Sequence, residues 1–211
     1  MGRFVTFEGI EGCGKTTQIR LAADWLAGRG IPVLATAEPG GTPLGVKIRE
    51  ILLNRGSFAI GAEAELLLFA AARAQHVRET ILPALAAGKC VLCDRFSDAT
   101  FAYQGAGRGL DAGVIRSLNS FSSLFLVPDR TLLFDLPVET GLARAGRRTE
   151  GVRPEAAEDR FERETRDFHG RIREAYLALA AGEPERFRII DGAADIGAVH
   201  REVRRLMEEL L

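Results

Sequence analysis

The 211-residue chain has few cysteines: Cys13, Cys90 and Cys93 are all it contains. A small, odd number excludes a disulfide framework. Cys90-Val91-Leu92-Cys93 has the C-x-x-C spacing, but no second pair and no histidine cluster accompanies it. The run reads as a strand, where residues three apart face opposite sides, so the thiols diverge and no metal or redox role is expected. His76, His169 and His200 are scattered and suggest no metal site. Net charge is −1, which leaves no global field to attract nucleic acid or an anionic membrane. No apolar run approaches the ~20 residues that span a bilayer. Met1-Gly2-Arg3 leads straight into a strand-like run, without the apolar segment and cleavage site of a signal peptide. The expected location is therefore cytoplasmic, with no nucleic-acid or membrane partner. Internal repeats, low-complexity tracts and interdomain linkers are also missing.

What is present suits one folded domain over residues 1–211. The chain is 46% hydrophobic and 27% charged, ordinary for a globular protein with a real core. Short apolar runs at Arg3–Glu8, Ile31–Thr36, Lys89–Asp94, Arg130–Leu136 and Arg186–Asp191 read as strands. Between them, helical patterns cover Lys15–Ala27, Gly45–Leu53, Glu63–Leu82, Leu110–Phe121, Val138–Arg148, Phe161–Ala181 and Ala194–Leu211. Strands alternating with helices predict an α/β fold: a five-stranded parallel sheet flanked by helices in three layers. Gly146–Asp159 (GRRTEGVRPEAAED) breaks the pattern as a long polar segment, and such segments often serve as mobile lids.

"GIEGCGKTT", Gly9–Thr17, carries the first chemistry. Gly9-x-x-x-x-Gly14-Lys15-Thr16 follows an apolar strand and opens a helix, the context of a phosphate-binding loop. Backbone N–H groups of Gly9, Ile10, Glu11, Gly12, Cys13, Gly14, Lys15, Thr16 and Thr17 are candidates for the ATP phosphates. Lys15 is expected to reach the β- and γ-phosphates, and the Thr16 hydroxyl to hold Mg²⁺. Glu11 is electrostatically odd there, because phosphate repels it; an acceptor hydroxyl or metal-bound water would explain it, as would simple solvent exposure. Asp94 ends the third strand and is a candidate for the Mg²⁺ sphere, with Arg95 beside it suited to a second phosphate. Asp135 also ends a strand, but Leu136-Pro137 after it reads as a plain exit. Cys13 reads as a small space-filler.

At this point the chain resembles the bacterial thymidylate kinases nearly end to end. "FEGIEGCGKTTQ", "EPGGTPLG", "LLLFAAARAQH", "DRFSDATFAYQGAGRG" and "DRFERETRDFHGRIREAYLALA" match that family's segments in order. The phosphate loop alone is unspecific; Glu-Pro-Gly-Gly-Thr with Asp-Arg…Ala-Tyr-Gln-Gly is highly specific. The resemblance implies transfer of the ATP γ-phosphoryl to dTMP, with Mg²⁺ as cofactor and a homodimer as the assembly. It implies a dTMP pocket built from Glu38, Pro39, Phe69, Arg73, Arg95, Thr100, Tyr103 and Gln104. Phe69 would stack on the pyrimidine. Arg73, one helical turn on, would donate to a base carbonyl. Arg95 would grip the 5′-phosphate, Thr100 and Gln104 would contact the base, and Tyr103 would pack on the deoxyribose. Glu11 would face the sugar.

Three departures matter. Some family members carry arginine where this chain has Gly12, so the catalytic cation is expected from the lid, roughly residues 144–160. Arg147, Arg148 and Arg153, flanked by Arg144 and Arg160, are the candidates to close over ATP. Alternating acids also allow these arginines to form a solvated face. Ala37 stands where an arginine commonly precedes Glu-Pro-Gly-Gly-Thr, which leaves Arg49 as a substitute phosphate contact. The lid is also longer than usual around Gly151–Ala157. The competing readings are another small-nucleotide kinase and a P-loop regulatory NTPase, which would need no second anion pocket at Arg95.

Overall fold

The structure, a computed structural model, describes residues 2–53, 58–149, 161 and 164–211; for Arg148 and Thr149 it describes the backbone alone. In chain order the elements are β1 (Arg3–Glu8), α1 (Lys15–Gly28), β2 (Val33–Ala37), α2 (Pro43–Leu53), α3 (Ala62–His76), α4 (Leu82–Ala86) and β3 (Cys90–Asp94). There follow α5 (Ser97–Thr100), α6 (Ala112–Ser122), β4 (Arg130–Asp135), α7 (Val138–Thr149), α8 (Arg166–Gly182), β5 (Phe187–Asp191) and α9 (Ile196–Glu208). The five strands form one parallel sheet in the order β2-β3-β1-β4-β5.

The strand order positions the site. After β1 the chain leaves toward β2, and after β3 it leaves toward β4. Adjacent strands whose connections part in opposite directions open a crevice at their carboxyl ends. Phe7 pairs with Asp94, so the loop after β1 and the loop after β3 start level, and Arg95 N–H donates to the Phe7 carbonyl at 3.0 Å.

Helices cover the sheet through two clusters. The larger joins Val5, Phe7, Leu92, Leu132 and Phe134 to Ile19 and Leu26 of α1, Ile172 and Tyr176 of α8, and Val203 and Leu206 of α9. The smaller joins Phe4, Val91, Cys93 and Phe96 to Val77, Ile81 and Ala84. Cys90 belongs to the first cluster and Cys93 to the second, so the two thiols diverge as expected. Burial, with the Glu38, Asp94 and Glu8 charges, pushes the Cys93 thiol well up, and it donates to the Arg95 carbonyl at 3.0 Å.

Most element boundaries shift by a few residues from the sequence reading, and three of the differences have a clear local cause or consequence. The helix expected to stop at Leu82 continues to Ala86 through a π turn over Val77–Ile81. Pro83 lacks an N–H and crowds the carbonyl four residues back, and a wider turn just before it relieves that clash. The helix expected from Phe161 starts at Arg166, where the Thr165 hydroxyl accepts from Phe168 N–H as a cap. The polar segment expected over Gly146–Asp159 is helical as far as Thr149, and its remainder, 150–159, lies outside the described residues.

Polar groups buried in the sheet form two neighbouring hydrogen-bonded sets. Thr6 and Thr131 share a hydrogen bond at 2.8 Å, and Arg186 reaches both Thr131 and Asp98. Glu8, 0% exposed, accepts from Phe96 N–H at 2.7 Å and from the Tyr176 hydroxyl at 2.7 Å. Burial, then the charge of Asp98, raises the Glu8 carboxyl to about 8. Unfolded, this group titrates near 4.5, so the stability from its proton is complete below that value and is lost as pH rises through 8. Glu8→Gln mimics the protonated acid. Melting curves of parent and variant are expected to diverge as pH climbs across that window, the parent losing more; a constant difference would contradict the assignment.

Candidate active site

The loop between β1 and α1 turns through positive φ at Gly9 (137°), Gly12 (70°) and Gly14 (96°), conformations that favour glycine. Its N–H groups and the start of α1 form an anion cradle. Lys15 closes it from inside: Nζ donates to the Gly9 and Ile10 carbonyls at 3.0 and 2.9 Å and to Cys13 Sγ at 3.2 Å. Cys13, read from sequence as a filler, thus shapes the lysine's position. Thr16 Oγ1 donates to Asp94 Oδ2 at 2.9 Å, so the two proposed metal contacts meet.

Gly12 has a second constraint. A Cβ there would stand 2.0 Å from the Gly141 carbonyl oxygen, and a Cβ on Gly141 would stand 2.6 Å from the Glu11 carbonyl oxygen. α7 therefore rests directly on the phosphate loop, backbone to backbone. This packing excludes any side chain at position 12.

Glu11 turns inward rather than to solvent. Its Oε1 accepts from Arg95 Nη2 at 2.9 Å and from the Tyr103 hydroxyl at 2.6 Å. Burial alone would push this carboxyl up, but Arg95, His169, Lys15 and Tyr103 outweigh it and hold it at about 2. His169 acts here by proximity: Nδ1 stands 3.1 Å from Oε2, without the alignment of a hydrogen bond. Arg95 has φ 67°, a strained value for a residue with a side chain. Its Nη1 donates to the Gly9 carbonyl at 2.8 Å and the Tyr176 hydroxyl at 3.2 Å, and its guanidinium lies 4.6 Å from the Tyr103 ring centroid. Burial pushes the Tyr103 hydroxyl well up, so it stays a donor.

A second knot lies deeper. Arg73, 2% exposed, donates from Nε to Glu38 at 2.8 Å, from Nη1 to Asn119 at 2.6 Å, and from Nη2 to the Phe96 carbonyl and Thr100, both at 3.0 Å. The other Glu38 oxygen meets His76 Nδ1 at 3.0 Å. Removing one partner of such a buried pair costs about 3–5 kcal/mol, because the other is left uncompensated. Gln104 donates to buried Glu65 at 2.8 Å, which Arg108 also approaches. Phe69 flanks Phe161, ring centroids 6.2 Å apart, and Arg49 donates to the Pro39 carbonyl at 3.0 Å.

These residues enclose a cleft of about 700 Å³. Glu11–Thr17, Glu38, Pro39, Arg49, Phe69, Arg73, Asp94, Arg95, Thr100, Tyr103 and Gln104 line it, with Ala37, Phe161 and Arg144. Gly9 and Ile10 lie buried beneath the loop. Arg147 is exposed on α7. The Arg148 side chain, Arg153 and Arg160 lie outside the described residues. A second cavity of about 790 Å³ adjoins the loop, lined by Gly12–Gly14, Thr17, Gln18, Arg144 and Gly192–Gly197. Arg144 spans the two, donating to the Gly192 and Ala193 carbonyls at 2.6 and 3.2 Å.

An anion cradle on a strand-loop-helix, facing an arginine-bearing second pocket at the sheet's switch point, defines a P-loop nucleotide phosphotransferase. Comparison with known proteins narrows this. A family model described as thymidylate kinase matches residues 7–203. The thymidylate kinase of Syntrophus aciditrophicus (strain SB) is 64% identical over 210 residues, covering 100% of this chain and 96% of that protein. That of Geobacter sp. (strain M21) is 54% identical over 214 residues, covering 100% and 95%. A crystal structure of thymidylate kinase from Ehrlichia chaffeensis superposes with TM-score 0.77 at 33% identity, covering 98% of each chain. The chain belongs to the thymidylate kinase family, and its activity is the ATP-dependent phosphorylation of dTMP.

Sequence reasoning missed several residues that support the cleft without lining it. Asn119, His76 and Glu65 hold the pocket from behind; Tyr176 and His169 do so from α8. Their only sequence signal was polarity inside apolar helical faces. Arg144, seen as a lid flank, spans the two cavities. Gly141→Ala is expected to push the phosphate loop off α7, raising the KM for ATP roughly tenfold while costing about 1–3 kcal/mol of stability. Steady-state kinetics with a denaturant titration measures both, and an unchanged KM would show that the loop tolerates the methyl group.

Proposed function

We propose that residues 1–211 act as one kinase domain that transfers the γ-phosphoryl of ATP in line to the 5′-phosphate of dTMP, giving dTDP and ADP. One observation carries the reading: Arg95 and the phosphate loop are two anion sites that share one cleft and are joined through Glu11, with Arg95 Nη2 2.9 Å from its carboxylate. Two such sites facing each other suit a donor and an acceptor phosphate, and a switch-type NTPase needs only one.

In this reading the ATP phosphates lie on Gly9–Thr17. Lys15 gives up part of its hold on the loop carbonyls to meet them. The donor base lies in the second cavity, against Arg144. The dTMP phosphate takes Arg95, its sugar packs on Tyr103, and its base lies between Phe69 and the Arg73–Thr100–Gln104 wall. Glu38 and Arg73 stiffen that wall through their mutual pair, with Pro39 and Arg49 at its rim. The acceptor is already anionic at neutral pH, so no general base is required. Preorganised charge and exclusion of water supply the acceleration.

Thr16 and Asp94 would hold Mg²⁺. Their oxygens fit a hard cation, and among the described residues no cluster of three His, Cys, Asp or Glu forms a cage. That suits an ion bound mainly by phosphates and water. When bound, it neutralises charge across the β- and γ-phosphates. Exposed Leu67 on α3 and Val114 and Phe121 on α6, two helices packed together, suit a homodimer face, which sedimentation velocity tests. The reading keeps the cytoplasmic location expected from the sequence; among the described residues no helix is long and apolar enough to cross a membrane.

A coupled ADP-release assay across dTMP, dUMP, CMP, UMP, AMP and GMP is expected to favour dTMP, with little nucleotide loss when no acceptor is added. Equal rates on all acceptors, or rapid loss without one, would overturn the reading. Separate substitutions Arg147→Ala, Arg148→Ala and Arg153→Ala are expected to include at least one that lowers kcat by roughly 10²-fold or more. Uniformly mild effects would remove the lid arginines from the mechanism.

A further inference from the structure

His169 is 0% exposed, and among the described residues neither ring nitrogen has a hydrogen-bond partner. It sits in the first turn of α8, its backbone N–H bonded to the Thr165 carbonyl. Around it are rings: Phe168 at 5.6 Å, with Tyr103 and Phe161 beyond. An apolar side chain would fill such a place without burying two polar atoms. Glu11 Oε2 stands 3.1 Å from Nδ1 and is equally without a hydrogen-bond partner among the described residues. The other Glu11 oxygen is taken twice, by Arg95 and Tyr103.

We propose that His169 is a positioning residue for the acceptor site: its Nδ1–H holds Glu11 Oε2, so that Glu11 stays in place when the acceptor phosphate draws Arg95 Nη2 away. At 3.1 Å the two atoms are already within hydrogen-bond distance, and alignment is what they lack. With Arg95 engaged by phosphate, the buried Glu11 carboxylate would otherwise keep Tyr103 as its only hydrogen-bond donor. A buried carboxylate left so poorly compensated would resist release of the arginine, and dTMP would bind weakly. The donor comes from α8, so the segment following the lid is linked to the phosphate loop. This rests on the reading of Arg95 as the acceptor-phosphate residue.

The test uses the full chain with His169→Leu, which keeps bulk and removes the donor, and His169→Asn, which keeps a donor nitrogen near the Nδ1 position. His169→Leu is expected to raise the KM for dTMP roughly tenfold or more, the size of one hydrogen bond to a charged group, with the KM for ATP nearly unchanged. His169→Asn is expected to recover most of that loss. In a Glu11→Gln background, adding His169→Leu is expected to change little, since the partner is already altered. Nitrogen NMR of histidine-labelled protein is expected to show a proton on His169 Nδ1, assigned by its loss in His169→Leu. The proposal is overturned if His169→Leu leaves the dTMP KM alone, if both variants fall equally, if the Glu11 and His169 effects simply add, or if Nδ1 is bare. Failure of the underlying reading looks different: Arg95→Ala would then leave dTMP binding intact in the parent chain.

Discussion

A carboxylate inside an anion-binding loop is tolerable only if a cation is fixed beside it, and the contact between Arg95 and Glu11 at 2.9 Å meets that condition. Much of the site depends on this pair. It draws Glu11 out of solvent and down to a pKa of about 2, despite a burial that alone would raise it. It ties the end of β3 to the loop after β1, so the two strands at the switch point share one charged hinge. Its geometry requires Arg95 at φ 67°, a conformation the neighbouring bonds hold: its N–H to Phe7, its guanidinium to Gly9 and Tyr176, and its stacking on Tyr103.

Behind this pair the protein repeats the same device at a greater depth. Glu38 joins Arg73 and His76, and Arg73 continues to Asn119, Thr100 and Phe96. Within the sheet and against it, Glu8, Asp98, Arg186 and two threonines form a third buried polar group. Each group is costly to desolvate, and each is satisfied almost completely by protein groups. The consequence for function is rigidity: the groups that would meet two nucleotides have few other conformations open to them. The exceptions are informative. Among the described residues, Glu11 Oε2 and both nitrogens of His169 lack hydrogen-bond partners, and they lie beside the Glu11–Arg95 pair.

The phosphate loop and α7 are built differently. α7 rests on the phosphate loop through Gly12 and Gly141, with no room for a side chain on either glycine. Contact between two backbones transmits displacement directly, because nothing compressible lies between them. A helix that touches the loop in this way fixes the position of one to the position of the other. Arg144 on the same helix reaches the carbonyls after β5, so α7 borders both cavities.

The alternation of strands and helices, the glycine spacing of the loop and the segments after β2 and β3 were legible in the sequence, because each depends on local periodicity or a contiguous motif. They determined the α/β parallel fold, the family and most residues that line the cleft. Helix ends were less legible: Pro83 was passed by a π turn, and Thr165 rather than Phe161 opened α8, since both outcomes depend on packing and capping geometry. Partners were illegible. Nothing local says that Arg73 spends its donors on Glu38 and Asn119, that Cys13 receives Lys15, or that His169 faces Glu11 from 158 residues away (169 minus 11). The sequence by itself determined which chemical groups the chain carries and the order of its elements. Only the tertiary structure decided which charges meet, because ion pairs between distant elements follow from strand order and helix packing rather than from spacing along the chain.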